Sequence, residues 1–341
     1  MENDRTLAIA IVGATGLVGR EIAGLLRERQ LTVGSLRALG SIRSAGAEVE
    51  DDEGGSCKVA LLGPESFDGI DVAFFAAGPG LAAEHAPRAA AAGAAVIDCS
   101  SRFRLDPTVP LVVPEVNPTA IADRRESGML AIPSATTIAL TVVLAPLLEA
   151  AGLRRVIVST YQGVASAGQG ALRAFSQETI DLLNQRGQRR SRFSRPLAFN
   201  CLPQVGGLAP DGATVHELHV AEETRRVLDH PGLPIHVTAV RVPMFFGSAM
   251  SVVLETDTRL DVEAATDVLR AGRGVTVHDV PDGPFPTPAE VTGSDTMHVG
   301  RIRADATVEH GLSLWIALDS VRKGAALTAV QVAEILVHDY L

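Results

Sequence analysis

The chain has few aromatic residues, few cysteines and a deficit of positive charge, and each shortage excludes something. Phe, Trp and Tyr make up 4% of the 341 residues, so we expect a core of Ala, Val, Leu and Ile, as in buried parallel sheets. The three cysteines, Cys57, Cys99 and Cys201, form no CxxC pair, which argues against a disulfide framework and a structural zinc site. The formal net charge of -10 disfavours nucleic acid and anionic membranes as partners, because both attract basic surfaces.

The beginning of the chain also lacks a long apolar run. Its first five residues are polar and partly acidic, and the apolar segment that follows is interrupted by Gly13 and Gly16. Such a pattern fits neither a signal peptide nor a membrane span, so we expect a cytoplasmic protein. With 46% apolar and 21% charged residues, the composition is that of a globular protein large enough for two domains.

Two kinds of pattern divide the chain. Over the first 130 residues, short apolar runs alternate with helical spacing, which predicts a doubly wound parallel sheet of the Rossmann type. The later part contains successive strand patterns without intervening helices, which favours an α+β domain with a mixed sheet. The last helical pattern, Ala325 to Tyr340, is expected to return to the first domain. We therefore predict an α/β protein with a dinucleotide-binding domain (1–131 with 322–341) and a substrate-binding and dimerisation domain (132–321).

A glycine-rich turn follows the first strand pattern and opens a helix. It reads Gly13-Ala14-Thr15-Gly16-Leu17-Val18-Gly19. Glycines at this spacing let the backbone turn tightly and approach a pyrophosphate, which the amide groups of the helix N-terminus then hold. The motif predicts dinucleotide binding, with a purely structural tight turn as the alternative.

The loop after the second strand pattern indicates which dinucleotide. An NAD site usually has an acidic residue about 20 residues after the glycines, whereas this chain has Ser41, Arg43 and Ser44 in that region. An arginine flanked by hydroxyls suits a 2′-phosphate, which favours NADP over NAD. NAD remains possible, and the alternative for Arg43 is an exposed surface arginine.

Several segments, in one order over nearly the whole chain, resemble aspartate-semialdehyde dehydrogenase. In that family a cysteine attacks the aldehyde, hydride passes to NADP, and phosphate cleaves the resulting thioester. The matching segments are GATGLVGRE, SIRSAG, AFFAAG, Val96 to Asn117, Ser159 to Val164, Ala239 to Pro243, Val299 to Asp305 and Val321 to Leu327.

The resemblance assigns roles to individual residues. It implies a phosphate-binding Arg104, a nicotinamide-side Asn117, a substrate-orienting Gln162, a carboxylate-binding Arg241 and a Glu217 near the phosphate. For Arg241, an internal ion pair is the alternative, since a buried charge needs a partner of some kind. The cofactor positions are Gly13, Thr15, Gly16, Leu17, Val18, Ser41, Arg43, Ser44 and Asn117.

The catalytic pair of the family is missing. Its cysteine, in a motif of the form NPNCST, falls on Ala135, and its histidine, in a motif of the form RGHSE, falls on Ser248. A methyl group cannot form a thioester, and losing one member of such a pair costs about 10⁴ to 10⁶ in rate. Further departures are Ser134 and Cys99 for family asparagines, Ala165 for a serine and His219 for a lysine.

Weaker candidates do not repair the loss. Ser134 and Thr136 flank the empty position, but a hydroxyl there more often caps the helix, and no base stands at position 248. Cys99 reads as a small buried thiol. His216, Glu217 and His219 lack the HExxH spacing and an evident third ligand, so we expect no metal site.

We therefore predict a non-catalytic paralogue, similar to the so-called Usg proteins, that binds NADP and an amino-acid-derived ligand. The resemblance also implies a homodimer. The alternative is an NADP-dependent oxidoreductase that reduces an aldehyde without a covalent intermediate, for which Ser134, Thr136 and His219 are weak proton donors.

Overall fold

The computed structural model of the chain describes residues 6–29, 31–50, 55–186, 191–278 and 283–341. The strands are β1 (Leu7–Val12), β2 (Val33–Gly40), β3 (Glu48–Glu50), β4 (Ser56–Lys58), β5 (Ala60–Leu61), β6 (Val72–Phe75), β7 (Ala95–Asp98), β8 (Met129–Ala131), β9 (Arg155–Gln162), β10 (Ile235–Arg241), β11 (Ser248–Glu255), β12 (Val275–His278), β13 (Met297–Asp305) and β14 (Gly311–Leu318). The helices are α1 (Leu17–Glu28), α2 (Pro79–Ala91), α3 (Ala135–Ala151), α4 (Gln169–Leu183), α5 (Val215–Val227), α6 (Val262–Ala271) and α7 (Leu327–Tyr340). Two compact units result, residues 1–134 with 325–341 and residues 135–324.

The first unit is built on a six-stranded sheet in the order β5-β2-β1-β6-β7-β8. Every neighbouring pair in this sheet is parallel. The chain order reverses at β1, between β2 and β6, which is the switch point at which doubly wound sheets bind nucleotides. The predicted Rossmann-type fold is confirmed.

Apolar spacing explains how the helices of the first unit are held. In α1, the side chains of Ile22, Leu25 and Leu26 recur at helical spacing and are buried. The returning helix α7 packs on α1 and β7, and Arg29 at the end of α1 pairs with Glu334 of α7 through two hydrogen bonds of 2.5 and 2.8 Å. The C-terminal segment is therefore part of the first unit.

The second unit contains a mixed sheet in the order β10-β9-β11-β14-β13-β12. Strand β9 runs parallel to β10 and antiparallel to β11, which is itself antiparallel to β14. Along β9, Val156, Val158, Thr160 and Gln162 are buried and the residues between them are partly exposed. The expected α+β domain with a mixed sheet is confirmed, and its buried face is the one that α3 and α5 cover.

Some elements were not predicted from the sequence, and α5 matters most among them for the site. Thr214 precedes α5, its hydroxyl accepts a hydrogen bond from the Glu217 amide, and the Glu217 carboxylate accepts one from the Thr214 amide. This T-x-x-E pattern is a capping box, which fixes where the helix begins. The proline-rich composition of residues 281–288 predicts a loop, and this stretch lies partly outside the described residues. Within the described ranges, no helix is both long and apolar enough to cross a bilayer.

Candidate functional site

The glycine-rich turn of the first unit has no room for side chains. Gly13 has a positive φ of 89°, and a Cβ atom there would lie 2.7 Å from the Ala76 carbonyl oxygen. A Cβ atom on Gly19 would lie 2.4 Å from the Gly13 carbonyl oxygen. Gly16 caps α1 without a side-chain hydrogen bond, and the first turn of the helix contains no acidic residue. The turn thus leaves the amide end of α1 suited to an anion, as a pyrophosphate requires.

The loop with the predicted phosphate ligands begins directly after β2. The amide of Gly13 donates to the carbonyl of Leu39 at 2.9 Å, which ties the glycine turn to the end of this strand. The Ser44 amide and hydroxyl both donate to the Ser41 carbonyl, at 2.9 and 3.2 Å. Arg43 is exposed at the tip, and its guanidinium makes no ion pair or hydrogen bond with any residue that the structure describes. The loop is therefore preorganised and its arginine is available to a ligand phosphate.

Arg104 and Asn117 fix the loops at the far strands of the same sheet. Arg104 donates from Nε to the Ile132 carbonyl and from Nη2 to the Cys99 carbonyl, both at 2.9 Å. Asn117 donates to the Leu111 carbonyl at 2.9 Å and accepts from the Val113 amide at 2.8 Å. Asn117 thus uses one N-H group and one oxygen lone pair on the backbone, which fixes its side chain and leaves the second N-H group and the second lone pair for a ligand.

Cys99 is in an environment that suppresses its reactivity. Burial, followed by the charge of neighbouring Asp98, raises the pKa of the Cys99 thiol to about 12. Burial also raises the pKa of Asp98, which accepts hydrogen bonds from the amide and hydroxyl of Ser100. Because the thiolate is the nucleophilic form of cysteine, Cys99 is a poor substitute for the missing nucleophile.

Three predicted site residues form one row across the sheet of the second unit. Arg241 on β10 lies in register with Gln162 on β9, and Gln162 lies in register with Ser248 on β11. Residues in register on neighbouring strands share a face, and all three are buried. Arg241, Gln162 and Ser248 are the site row.

The amide of Gln162 is the centre of a polar cluster on this row. Its Nε2 atom lies 3.3 Å from Thr136 Oγ1 on α3 and 3.1 Å from Thr160 Oγ1 on β9. The same nitrogen lies 2.9 Å from Nε2 of His216 on α5. Sequence reasoning did not place His216 here. The signal was the capping box, which sets the first turn of α5 and hence the direction of that imidazole.

Arg241 is a buried cation whose partners are neutral. Its Nη1 donates to the Gly163 carbonyl at 2.7 Å and to the Ser166 hydroxyl, and its guanidinium carbon lies 5.9 Å from the centre of the Phe193 ring. Burial lowers the pKa of Arg241 to about 10, so the group stays charged at neutral pH. No carboxylate among the described residues pairs with it. The internal ion pair that the sequence left open is not observed in this part of the chain.

Ala135 and Ser248, the two positions to which the resemblance assigns the catalytic pair, lie at the start of α3 and in the site row. Ala135 is the first residue of α3, where a thiol would benefit from the helix N-terminus. A Cβ atom on Gly324 would lie 2.6 Å from the Cβ of Ala135, so only a glycine at position 324 gives the side chain of residue 135 enough room. Ser248 is the last residue of the site row, and it carries a hydroxyl where the resemblance implies an imidazole.

Glu217 differs from the other candidates because both its oxygens bind backbone. One accepts from the Thr214 amide at 2.6 Å, and the other accepts from the Ala239 amide at 2.7 Å. The carboxylate therefore joins the start of α5 to β10 and is not part of the Gln162 cluster. Among the described residues, no three His, Cys, Asp or Glu side chains are grouped closely enough to hold a metal ion.

Comparison with known families matches each unit separately. Residues 8–124 match the model of the semialdehyde dehydrogenase NAD binding domain, and residues 144–323 match that of the semialdehyde dehydrogenase dimerisation domain. The two matched ranges lie within the first and the second unit respectively.

Individual relatives match over almost their full length. The aspartate-semialdehyde dehydrogenase of Aquifex aeolicus is 41% identical over 98% of both chains. A crystal structure of aspartate semialdehyde dehydrogenase II from Vibrio cholerae superposes with a TM-score of 0.95 at 40% identity, over 99% of this chain and 100% of the other. A second structure of that enzyme, complexed with ASA, gives a TM-score of 0.94. With both domains and the full length matched, this chain belongs to the aspartate-semialdehyde dehydrogenase family.

Proposed function

We propose that this chain is a non-catalytic member of its family, of the Usg type, which binds NADP and a small amino-acid-derived ligand without forming a thioester. The observation that carries the proposal is Ala135 at the first residue of α3, together with Ser248 in the site row. A thioester needs a sulfur at the first position and a base to receive its proton at the second. The chain offers a methyl group and a hydroxyl.

The retained parts of both units support binding. In the first unit, the turn itself requires Gly13 and Gly19, and it leaves the start of α1 without a side-chain cap or an acidic residue, which suits a pyrophosphate. The exposed Arg43 beside Ser41 and Ser44 favours NADP over NAD. A bound nicotinamide would supply hydride transfer, and the residues of this chain would hold and orient it.

In the second unit, Arg241 supports binding of an anion. It is charged, buried and held by neutral groups, and its hydrogen bonds to the described residues all come from Nη1. Its Nε and Nη2 donors are therefore suited to a ligand carboxylate or phosphate. The dimerisation model that matches residues 144–323 supports a homodimer, which sedimentation of the purified chain would test.

The experiment that tests the proposal is calorimetric titration with NADP and, separately, with NAD, followed by aldehyde turnover on the same sample. We expect NADP to bind near micromolar affinity, about -8 kcal/mol, with NAD weaker. We expect no NADPH formation from aspartate semialdehyde and phosphate. Turnover by the wild-type chain, or no nucleotide binding, would refute the proposal.

A second candidate function is reduction of a carbonyl without a covalent intermediate. One observation favours it: His216 adds an imidazole to the Gln162 cluster, and imidazole is the commonest proton donor in such reactions. NADPH consumption with an aldehyde and equimolar alcohol formation would establish this function in place of the first.

A further inference from the structure

The contacts of the Gln162 side chain are unbalanced. Its amide nitrogen has two N-H groups but lies within hydrogen-bond distance of three groups, the hydroxyls of Thr136 and Thr160 and Nε2 of His216. Its Oε1 atom accepts no hydrogen bond from the residues that the structure describes. A buried amide with crowded donors and an unused acceptor can take the other orientation when a neighbouring group becomes a donor.

Rotating the amide by half a turn exchanges its oxygen and nitrogen without changing its shape. Oε1 would then face the same three groups. Each threonine hydroxyl can donate to it, and His216 can donate whenever its Nε2 atom carries a proton. The two N-H groups would turn to the side where Oε1 now lies.

We propose that the protonation of His216 sets the orientation of the Gln162 amide and thereby selects what Gln162 presents to a ligand. When Nε2 of His216 is bare, it accepts from the amide, and Gln162 presents its oxygen. An imidazolium has a hydrogen on both nitrogens and cannot accept, so it forces Oε1 inward and the N-H groups outward. His216 is thus a positioning residue of the site row.

The inference rests on the proposed function in one respect, namely that the site row is where the ligand binds. Below the titration midpoint of the imidazole, Gln162 offers donors to a carbonyl or carboxylate oxygen. Above it, Gln162 can offer an acceptor to an amine or hydroxyl. A histidine with its ordinary pKa changes charge near neutral pH, so a titration across that range tests the selection.

Charged groups on the neighbouring elements set the field around His216. On α5 itself, Glu217 is the next residue and binds backbone amides, His219 lies about one turn further, and the buried Glu223 lies two turns further. Strand β10 contributes Arg241 at the end of the site row, next to Gln162. Thr136 on α3 and Thr160 on β9 contribute hydroxyls to the same cluster, and the loop at Gly206 lies against the Cβ atom of His216.

A measurement without ligand tests the coupling directly. Glutamine side chains are labelled with ¹⁵N, the Gln162 amide signals are assigned with Gln162→Glu, and the imidazole nitrogens of His216 are followed from about pH 5.5 to about pH 8. We expect the Gln162 amide signals and the His216 nitrogens to shift with one common midpoint. Gln162 signals that do not change with pH, or that follow a different midpoint, would overturn the inference.

Two variants test whether the pH response of Gln162 comes from His216. In His216→Gln, which keeps a polar side chain of similar length, the pH response of Gln162 should vanish. The matched control is His236→Asn, since His236 is exposed on the opposite face of β10, and the response should persist there. A response that survives in His216→Gln contradicts the proposal. The midpoint comparison in the wild-type chain stands even if this variant fails to fold.

Ligand binding provides the second arm. With L-aspartate semialdehyde as the probe, binding to the wild-type chain should be at least about fivefold tighter at about pH 6 than at about pH 8. The ratio should approach one in His216→Gln. Equal wild-type affinities at the two pH values would overturn the selection of donors. Absence of binding at both would refute the proposed function, while the ligand-free titration would still decide whether His216 controls Gln162.

Discussion

The glycine turn of the first unit works through backbone atoms, whereas the site row of the second unit works through side chains. The turn requires glycine at positions 13 and 19, because a Cβ atom at either position would collide with a carbonyl group. At positions 135 and 248, function depends on atoms that one substitution can remove. Under the proposed function, binding that is built from backbone atoms persists where chemistry that is built from side chains is lost.

The largest effect should come from introducing the two side chains that the resemblance implies at the start of α3 and in the site row. Ala135→Cys combined with Ser248→His should raise aldehyde oxidation well above the wild-type background, toward part of the roughly 10⁴- to 10⁶-fold that such pairs contribute. The rate of aldehyde oxidation is measured as NADPH formation in the presence of phosphate and aspartate semialdehyde. Each single variant serves as the control. A folded double variant without activity would mean that the Gln162 cluster and the rest of the site row no longer bind the substrate of the family.

The glycine turn should be the most sensitive point for nucleotide binding. Gly13→Ala combines a positive φ with a collision against the Ala76 backbone, so we expect at least about 2 kcal/mol of destabilisation and loss of NADP binding. Gly24→Ala is the matched control in α1. Nothing lies within 4 Å of a Cβ atom there, and alanine should stabilise the helix by about 0.5 to 1 kcal/mol. Urea unfolding and calorimetry would measure both, and equal behaviour of the two variants would contradict this account.

Removal of the buried cation should weaken ligand binding more than it weakens the fold. In Arg241→Met, the Gly163 carbonyl keeps its hydrogen bond from the Ser166 hydroxyl, so we expect a small change in stability. Binding of an anionic probe such as aspartate semialdehyde should weaken by about 2 to 3 kcal/mol, because a charged hydrogen-bond donor is lost. If stability falls by that amount and affinity does not, Arg241 serves the fold alone.

The capping box should respond as a structural element. Thr214→Ala should lower the free energy of unfolding by about 1 kcal/mol, because it removes half of the cap, and Glu217→Ala should lower it by more, because it also removes the acceptor of the Ala239 amide. The double variant should lose less than the sum of the two. A change in ligand affinity in Glu217→Ala that Thr214→Ala does not share would instead place Glu217 in the ligand site.

The smallest effect concerns a pair of histidines at the far side of the second unit. Nδ1 of His298 lies 2.8 Å from Nε2 of His278. Burial, together with the neighbouring imidazole, lowers the pKa of His298. A depressed pKa means that the unfolded chain binds the proton more readily, so stability should decline as the pH falls below about 6.5. His298→Asn should flatten this decline in thermal melts. An unchanged slope would remove His298 from the explanation.

The sequence predicted the two fold classes and most strands, because a strand that is buried on one face or on both has a recognisable pattern of apolar residues. It did not predict the cluster around Gln162. Register between β9, β10 and β11 decides which residues stand side by side, and register is set by long-range pairing. His216 was missed because its direction depends on where α5 begins, although the T-x-x-E capping box was visible in the sequence. Glu217 matched a family glutamate, yet its cap contacts follow from that same helix start.

The path of the chain has a consequence for its synthesis. The first unit is interrupted after residue 134 and resumes at residue 325, and α7 then packs on α1 and β7. Domains fold as units while the ribosome adds residues from the N-terminus. The inserted unit, residues 135–324, is fully synthesised before the first unit has received its last helix. The glycine turn, although encoded first, therefore belongs to the unit that completes its core last.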